Sequence, residues 1–114
     1  KFVPHSGPFA RGIHATLFAK LASDAGTEDV IGALANYYQD SPLVHVGSEL
    51  PRMKDVAGSC HAALSARVEG DTVVVCSVLD NLLKGAAGGA LQWVNRLLDL
   101  PQATGLTAAA SGWA

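Results

Sequence analysis

His61-Ala62-Ala63-Leu64-Ser65-Ala66-Arg67-Val68-Glu69-Gly70-Asp71-Thr72-Val73-Val74-Val75-Cys76-Ser77-Val78-Leu79-Asp80 is the stretch that decides the fold. It reads as two strands, 61–69 and 72–80, joined by a tight turn. Leu64, Ala66 and Val68 fall on one face and Ser65 and Arg67 on the other, the period-two pattern of a strand. Glu69-Gly70-Asp71 supplies the turn, because Gly70 can take the positive φ that a hairpin demands. The second strand is apolar almost throughout, as a central strand should be.

Working outward, Asp80 follows this strand directly and can cap a helix. Leu83, Ala86, Ala87, Ala90, Leu91, Val94, Leu97 and Leu98 then recur at helical spacing. A final helix is expected at about 82–100, stopped by Pro101. Upstream, Thr27 is a suitable N-cap, with Glu28 and Asp29 at the positive end of a helix over 27–39. Its stripe of Val30, Ile31, Leu34, Ala35 and Tyr38 should rest on a sheet. Strands are expected at 2–5, 13–21 and 43–46, an irregular loop at 47–55, and a fraying tail from Thr104. The order β-β-α-β-β-β-α predicts an α+β domain, a mostly antiparallel sheet covered by helices.

The chain has 114 residues, enough for one modest core but not for a cofactor domain as well. Charged residues make up 16% and the formal net charge is −2, which gives neither a basic footprint for nucleic acid nor a polybasic patch for a membrane. No apolar run approaches the roughly 18 residues of a membrane span. The opening Lys1-Phe2-Val3-Pro4-His5 reads as the inside of a strand rather than a signal peptide, so a piece of a longer protein is expected. Cys60 and Cys76 form no zinc pattern and imply no disulfide framework, which makes a reduced, cytoplasmic setting the default.

The segment with chemical content is Leu79-Asp80-Asn81-Leu82-Leu83-Lys84-Gly85-Ala86-Ala87-Gly88-Gly89-Ala90. A strand turns straight into a helix whose first turns are nearly bare. Three glycines there cost about 1 kcal/mol each against alanine. They admit a ligand or a second backbone. The N–H groups at the helix start favour an anion, and Lys84 adds charge. Asn81 can present a carboxamide to another amide. The competing reading is a helix packed closely on a sheet, with Asp80 an ordinary cap. The run matches neither a P-loop nor a dinucleotide fingerprint.

This segment, with Gln92 and Asn95 after it, resembles a signature of N-acetyl-γ-glutamyl-phosphate reductases. Phe2-Val3-Pro4-His5 through Pro8 to Arg11-Gly12-Ile13 is similar to the same family. So are Pro42-Leu43-Val44, Leu50-Pro51, Lys54-Asp55-Val56, Gly58-Ser59, Leu100-Pro101 and Thr104-Gly105-Leu106. The resemblance runs over nearly the whole chain. It implies the carboxy-terminal catalytic and dimerisation domain, like that of glyceraldehyde-3-phosphate dehydrogenase, with the final helix returning towards a Rossmann domain outside residues 1–114. It implies NADP (NADPH) as cofactor, with Asn81 near the nicotinamide and Lys84, Gly85, Ala86 and Ala87 lining its cleft. N-acetyl-γ-glutamyl phosphate and phosphate follow as substrates, and a homo-oligomer as the assembly. The family's nucleophile sits in a Pro-Gly-Cys motif and its base in a His-Arg-His-like segment. Neither motif occurs here, so no catalytic residue is expected in this chain.

Other polar residues carry two readings each. Arg11 could hold a carboxylate or phosphate, or make a salt bridge or cap a carbonyl. His5 could make a structural hydrogen bond or face substrate. Cys60 stands beside His61, but adjacent strand residues point to opposite faces and should not pair as nucleophile and base. Cys76 reads as inert core. His14 and His45 lack metal-ligand spacing, and no metal site is expected. Two alternatives to the reductase remain: a non-catalytic oligomerisation module, and the homologous N-acetyl-aminoadipyl-phosphate reductase of lysine synthesis.

Overall fold

The computed structural model describes residues 1–113. Four strands form one sheet in the order β1-β4-β3-β2, comprising β1 Ile13–Lys20, β2 Val44–Val46, β3 Ala62–Glu69 and β4 Thr72–Leu79. The expected hairpin is present: β3 and β4 pair antiparallel over their full lengths, from Ala62 opposite Leu79 to Glu69 opposite Thr72. Gly70 turns the corner at φ +59°. Antiparallel pairing also joins β1 to β4, with Ile13 opposite Leu79, whereas the short β2 runs parallel to β3. Two of the three pairings are therefore antiparallel, and the fold is α+β as the element order implied.

The crossover that the parallel pair β2–β3 requires is the 47–61 segment, while the helix α1, Thr27–Tyr37, connects β1 to β2. It packs against β3 and β2. Val30, Ile31, Leu34 and Tyr38 are half-buried along its inner side, while Ala35 is exposed. The N-cap is Gly26 rather than Thr27, and the Gly26 amide donates to Asp29 Oδ2 at 2.8 Å. The Thr27 hydroxyl does a different job. It accepts the Val68 amide at 3.0 Å, capping β3 beyond the point where β2 stops.

Three expectations need correcting. Residues 2–5 form no strand, and Phe2 is 92% exposed. A strand is made by its neighbour's hydrogen bonds, and among the described residues no strand lies beside this segment. The final helix is not uniform: Leu83–Ala87 is a π-helical turn, and the α-helix proper, α2, runs from Gly88 to Leu97. The side chains of α2 meet the π-turn and the loop after it. The tail does not fray either. Leu106 is 5% exposed in a cluster with Leu43 and Cys60, and Ser111 donates through N and Oγ to the Ala57 carbonyl. Within the 47–55 loop, Met53–Asp55 forms a 3₁₀ turn.

Candidate functional site at the end of the central strand

Asp80 leaves β4 with its side chain wholly buried. An isolated buried carboxylate is costly, so it must be fully satisfied. Oδ1 accepts the Leu82 and Leu83 amides at 2.8 and 2.7 Å. Oδ2 accepts the Gly58 amide and Arg11 Nε, each at 2.7 Å. Burial pushes this carboxyl up, but Arg11 and the three amides outweigh it and hold it at about 2. One carboxylate thus ties together the approach to β1, the loop before β3 and the start of the final helical segment. The anion favoured at that helix start is the chain's own, and the Leu82 and Leu83 amides are taken.

Asn81 extends the same knot, with Oδ1 accepting the Gly12 amide at 2.7 Å. Its Nδ2 keeps no protein partner among the described residues. Arg11 bonds through Nε only, so its two η nitrogens stay free on a side chain 31% exposed. The salt-bridge reading of Arg11 is correct, and it leaves a second function open at the η end. His5 lies exposed in the irregular opening segment and takes no part in the knot.

The π-turn widens the helix just after Asn81. Gly85, Ala87 and Gly88 each bond five residues back, to the Asp80, Leu82 and Leu83 carbonyls. Wide turns of this kind often mark functional sites. Gly85, Ala86 and Ala87 are exposed, presenting a nearly bare backbone surface. Gly88 is different. It is buried, and a Cβ there would collide with Cys60 Sγ. Gly85 leaves its backbone open to solvent, whereas at Gly88 the close neighbour is a side chain of the same domain.

Lys84 is half-buried, and burial lowers its ammonium below the usual lysine range. It donates to Gln92 Oε1 at 2.7 Å; Gln92 Nε2 donates to Gln102 Oε1 at 2.8 Å, and Gln102 Nε2 to the Asp40 carbonyl at 3.1 Å. Buried Asn95 adds bonds to the Gln102 and Thr104 carbonyls at 3.2 and 3.0 Å. This relay fixes α2 to the end of α1 and places the Lys84 ammonium. Helical spacing brings 84, 88, 92 and 95 to one side, but the bridge to Gln102 depends on a loop path that periodicity does not encode.

Neither cysteine is arranged as a nucleophile. Burial pushes the Cys60 thiol up, and Sγ faces Gly88. His61 turns instead to His45, with Nδ1 and Nε2 2.9 Å apart. Cys76 is buried in β4 opposite Ser65. Among the described residues no group of three or more His, Cys, Asp or Glu is gathered as for a metal, and no helix is long and apolar enough to cross a membrane.

The molecule is thus an α+β sheet whose central strand ends in a carboxylate knot beside a bare π-turn. Residues 1–81 match the semialdehyde dehydrogenase dimerisation domain, and the chain belongs to that family. It is similar to N-acetyl-gamma-glutamyl-phosphate reductases of Pelotomaculum thermopropionicum, 44% identical over 92% of this chain and 31% of that protein, and Nitrosomonas europaea, 46% identical over 92% and 31%. A third such reductase, of Alkalilimnicola ehrlichii, is 43% identical over 96% of this chain and 32% of its own length. The chain spans about a third of the length of these curated relatives.

Proposed function

We propose that this chain is the carboxy-terminal part of an enzyme that reduces N-acetyl-γ-glutamyl phosphate to N-acetylglutamate 5-semialdehyde with NADPH, in arginine synthesis in the cytoplasm. The carrying observation is the agreement across 92% of the chain with proteins bearing that name. The geometry is suited to the role. A nicotinamide cofactor, held mainly by a Rossmann domain outside this chain, would supply the hydride. Asn81 contributes the free Nδ2 donor, which suits the carboxamide oxygen of nicotinamide, while its Oδ1 stays anchored on the Gly12 amide. Gly85 and Ala86 offer a flat, exposed backbone against which a ring can lie. Lys84 contributes positive charge at the same edge. On the substrate side, the η nitrogens of Arg11 suit a carboxylate or phosphate, with His5 as the second residue. Nucleophile and base come from outside this chain, as does the remainder of the subunit in a homo-oligomer.

The test is phosphate-dependent NADP reduction by the whole gene product with N-acetylglutamate 5-semialdehyde. Turnover is expected, and Asn81→Ala should lower kcat by about tenfold or more with the fold intact. No turnover by the wild type sinks the activity; unchanged turnover in Asn81→Ala removes that residue from the site. A preference for N-acetyl-aminoadipate semialdehyde would move the protein to the lysine route. A second reading, a non-catalytic oligomerisation module, draws support from the matched dimerisation-domain family. A native protein of only these residues, inactive and associated, would establish it.

A further inference from the structure

His45 and His61 are far apart in sequence and adjacent in space. His45 is central in β2, opposite Ala63, and His61 immediately precedes β3. The backbone fixes both positions: the Ala62 amide donates to the Leu43 carbonyl at 2.9 Å, and the Gly47 amide to the Leu64 carbonyl at 3.0 Å. His61 is held further by its amide, which donates to Ser59 Oγ at 3.2 Å. Two ring nitrogens, His45 Nε2 and His61 Nδ1, are thereby brought to 2.9 Å, with ring centroids 4.8 Å apart and a 33° tilt.

That spacing is a ligand bite. Two nitrogen–metal bonds of about 2.0–2.1 Å meeting at a right angle span about 2.9 Å, whereas a tetrahedral angle spans about 3.3 Å. Collinear imidazoles sharing a proton at this nitrogen distance would hold their centroids about 5.2 Å apart, so the shorter observed value means that the two rings are bent away from a straight line. We propose that His45 and His61 form a bidentate site for a divalent transition metal of tetragonal preference, Cu²⁺ or Ni²⁺ ahead of Zn²⁺. Each imidazole must bind as the neutral base. Burial holds His61 below the usual histidine range, with His45 and Lys84 adding to the effect, so that form prevails at neutral pH. Metal binding sends the proton shared between the rings to the outer nitrogen of the donor ring, with no net release. Water completes the coordination shell. His45 is exposed and borders a cavity of about 320 Å³ with Tyr38, Gln39 and Ser41, so solvent reaches the His45 ring. The bound ion would clamp β2 to the start of β3.

The experiment is calorimetric titration of Cu²⁺ and Ni²⁺ into the tag-free protein, with electron paramagnetic resonance of the Cu²⁺ form. One ion per chain and two equatorial imidazole nitrogens are expected. His45→Asn and His61→Asn should each weaken binding by about tenfold or more and leave one nitrogen, since either ring alone loses the benefit of the tethered second ligand. His14→Asn, on a strand at the other side of the sheet, should change neither. A wild-type spectrum with one nitrogen, or undiminished affinity in both His45→Asn and His61→Asn with thermal unfolding unchanged, overturns the site.

Discussion

The end of β4 and the helix α2 lie side by side and treat their surroundings in opposite ways. Asp80 is polar and entirely buried, and four hydrogen bonds from within the chain complete it. The α2 stripe is apolar and bare: Leu91, Val94, Leu97 and Leu98 are 43%, 46%, 78% and 64% exposed. Local pattern gives the stripe the look of core and the carboxylate the look of surface. The inversion teaches that a residue's environment is set by what completes it. Asp80 finds its partners at positions 11, 58, 82 and 83, all in this chain, whereas the stripe is only partly covered by the described residues.

If the knot is closed internally, removing its centre should be the most damaging change in the molecule. Asp80→Ala leaves three amides and a guanidinium without their acceptor, and should cost about 3–5 kcal/mol in urea unfolding. A cost under about 1 kcal/mol would mean that water replaces the carboxylate and the knot is not closed. The same carboxyl gives a pH signature. Its folded-state value of about 2 lies below the ordinary 3.8, so it stabilises the fold above about pH 4. That contribution, about 2 kcal/mol, disappears as pH falls from about 4 through 2. Asp80→Asn should flatten the stability curve across that window, and a persisting slope would assign the acid limb to another group.

The border between the two regions is Gly88, where the final helix touches the loop before β3. A methyl at this position meets Cys60 Sγ and sits 3.0 Å from the Leu83 carbonyl oxygen. Gly88→Ala should therefore cost about 1–2 kcal/mol, an overpacking penalty reduced by alanine's better helix propensity. Pairing it with Cys60→Ala removes the nearest clash, so the double variant should be more stable than the two single costs added together. Strict additivity would show that Gly88 is needed by the π-turn's own backbone and not by the contact.

What the sequence made legible follows the same division. The hairpin, its turn at Gly70, α1 and the cap at Asp80 were all readable, because each is governed by neighbours within a few positions. The strand at 2–5 was not, since pairing belongs to the partner as much as to the strand. The π-turn escaped because one extra residue per turn barely disturbs an apolar repeat five residues long. Asn81, Lys84 and Arg11 were singled out by residue type beside a bare helix start, and Arg11 and Asn81 do meet at the knot. Their exact partners, Asp80 and Gly12, lie 69 residues away in each case, and only the β1–β4 register brings them there. The His45–His61 pair was hidden for the same reason, a parallel register that positions 16 apart do not announce.

The smallest effect is expected where the sequence signal is strongest. Replacing Leu91 or Val94 by Ser normally removes apolar burial worth about 2 kcal/mol or more per side chain. Here each already stands more than two-fifths exposed, and α2 is anchored by Asn95, Gln92 and Lys84 from its other side. Leu91→Ser, which loses only its residual contacts, and Val94→Ser should therefore each change the unfolding free energy of this chain by about 1 kcal/mol. In the longer protein the same substitutions should cost several times as much if another part of that protein covers the stripe. Equal small effects in both settings would mean that the stripe stays in solvent, and the contrast with Asp80 would then be one of burial alone. A large effect already in the short chain would show that α2 is held by its apolar side after all, and the anchoring role given to Asn95 and Gln92 would have to be withdrawn.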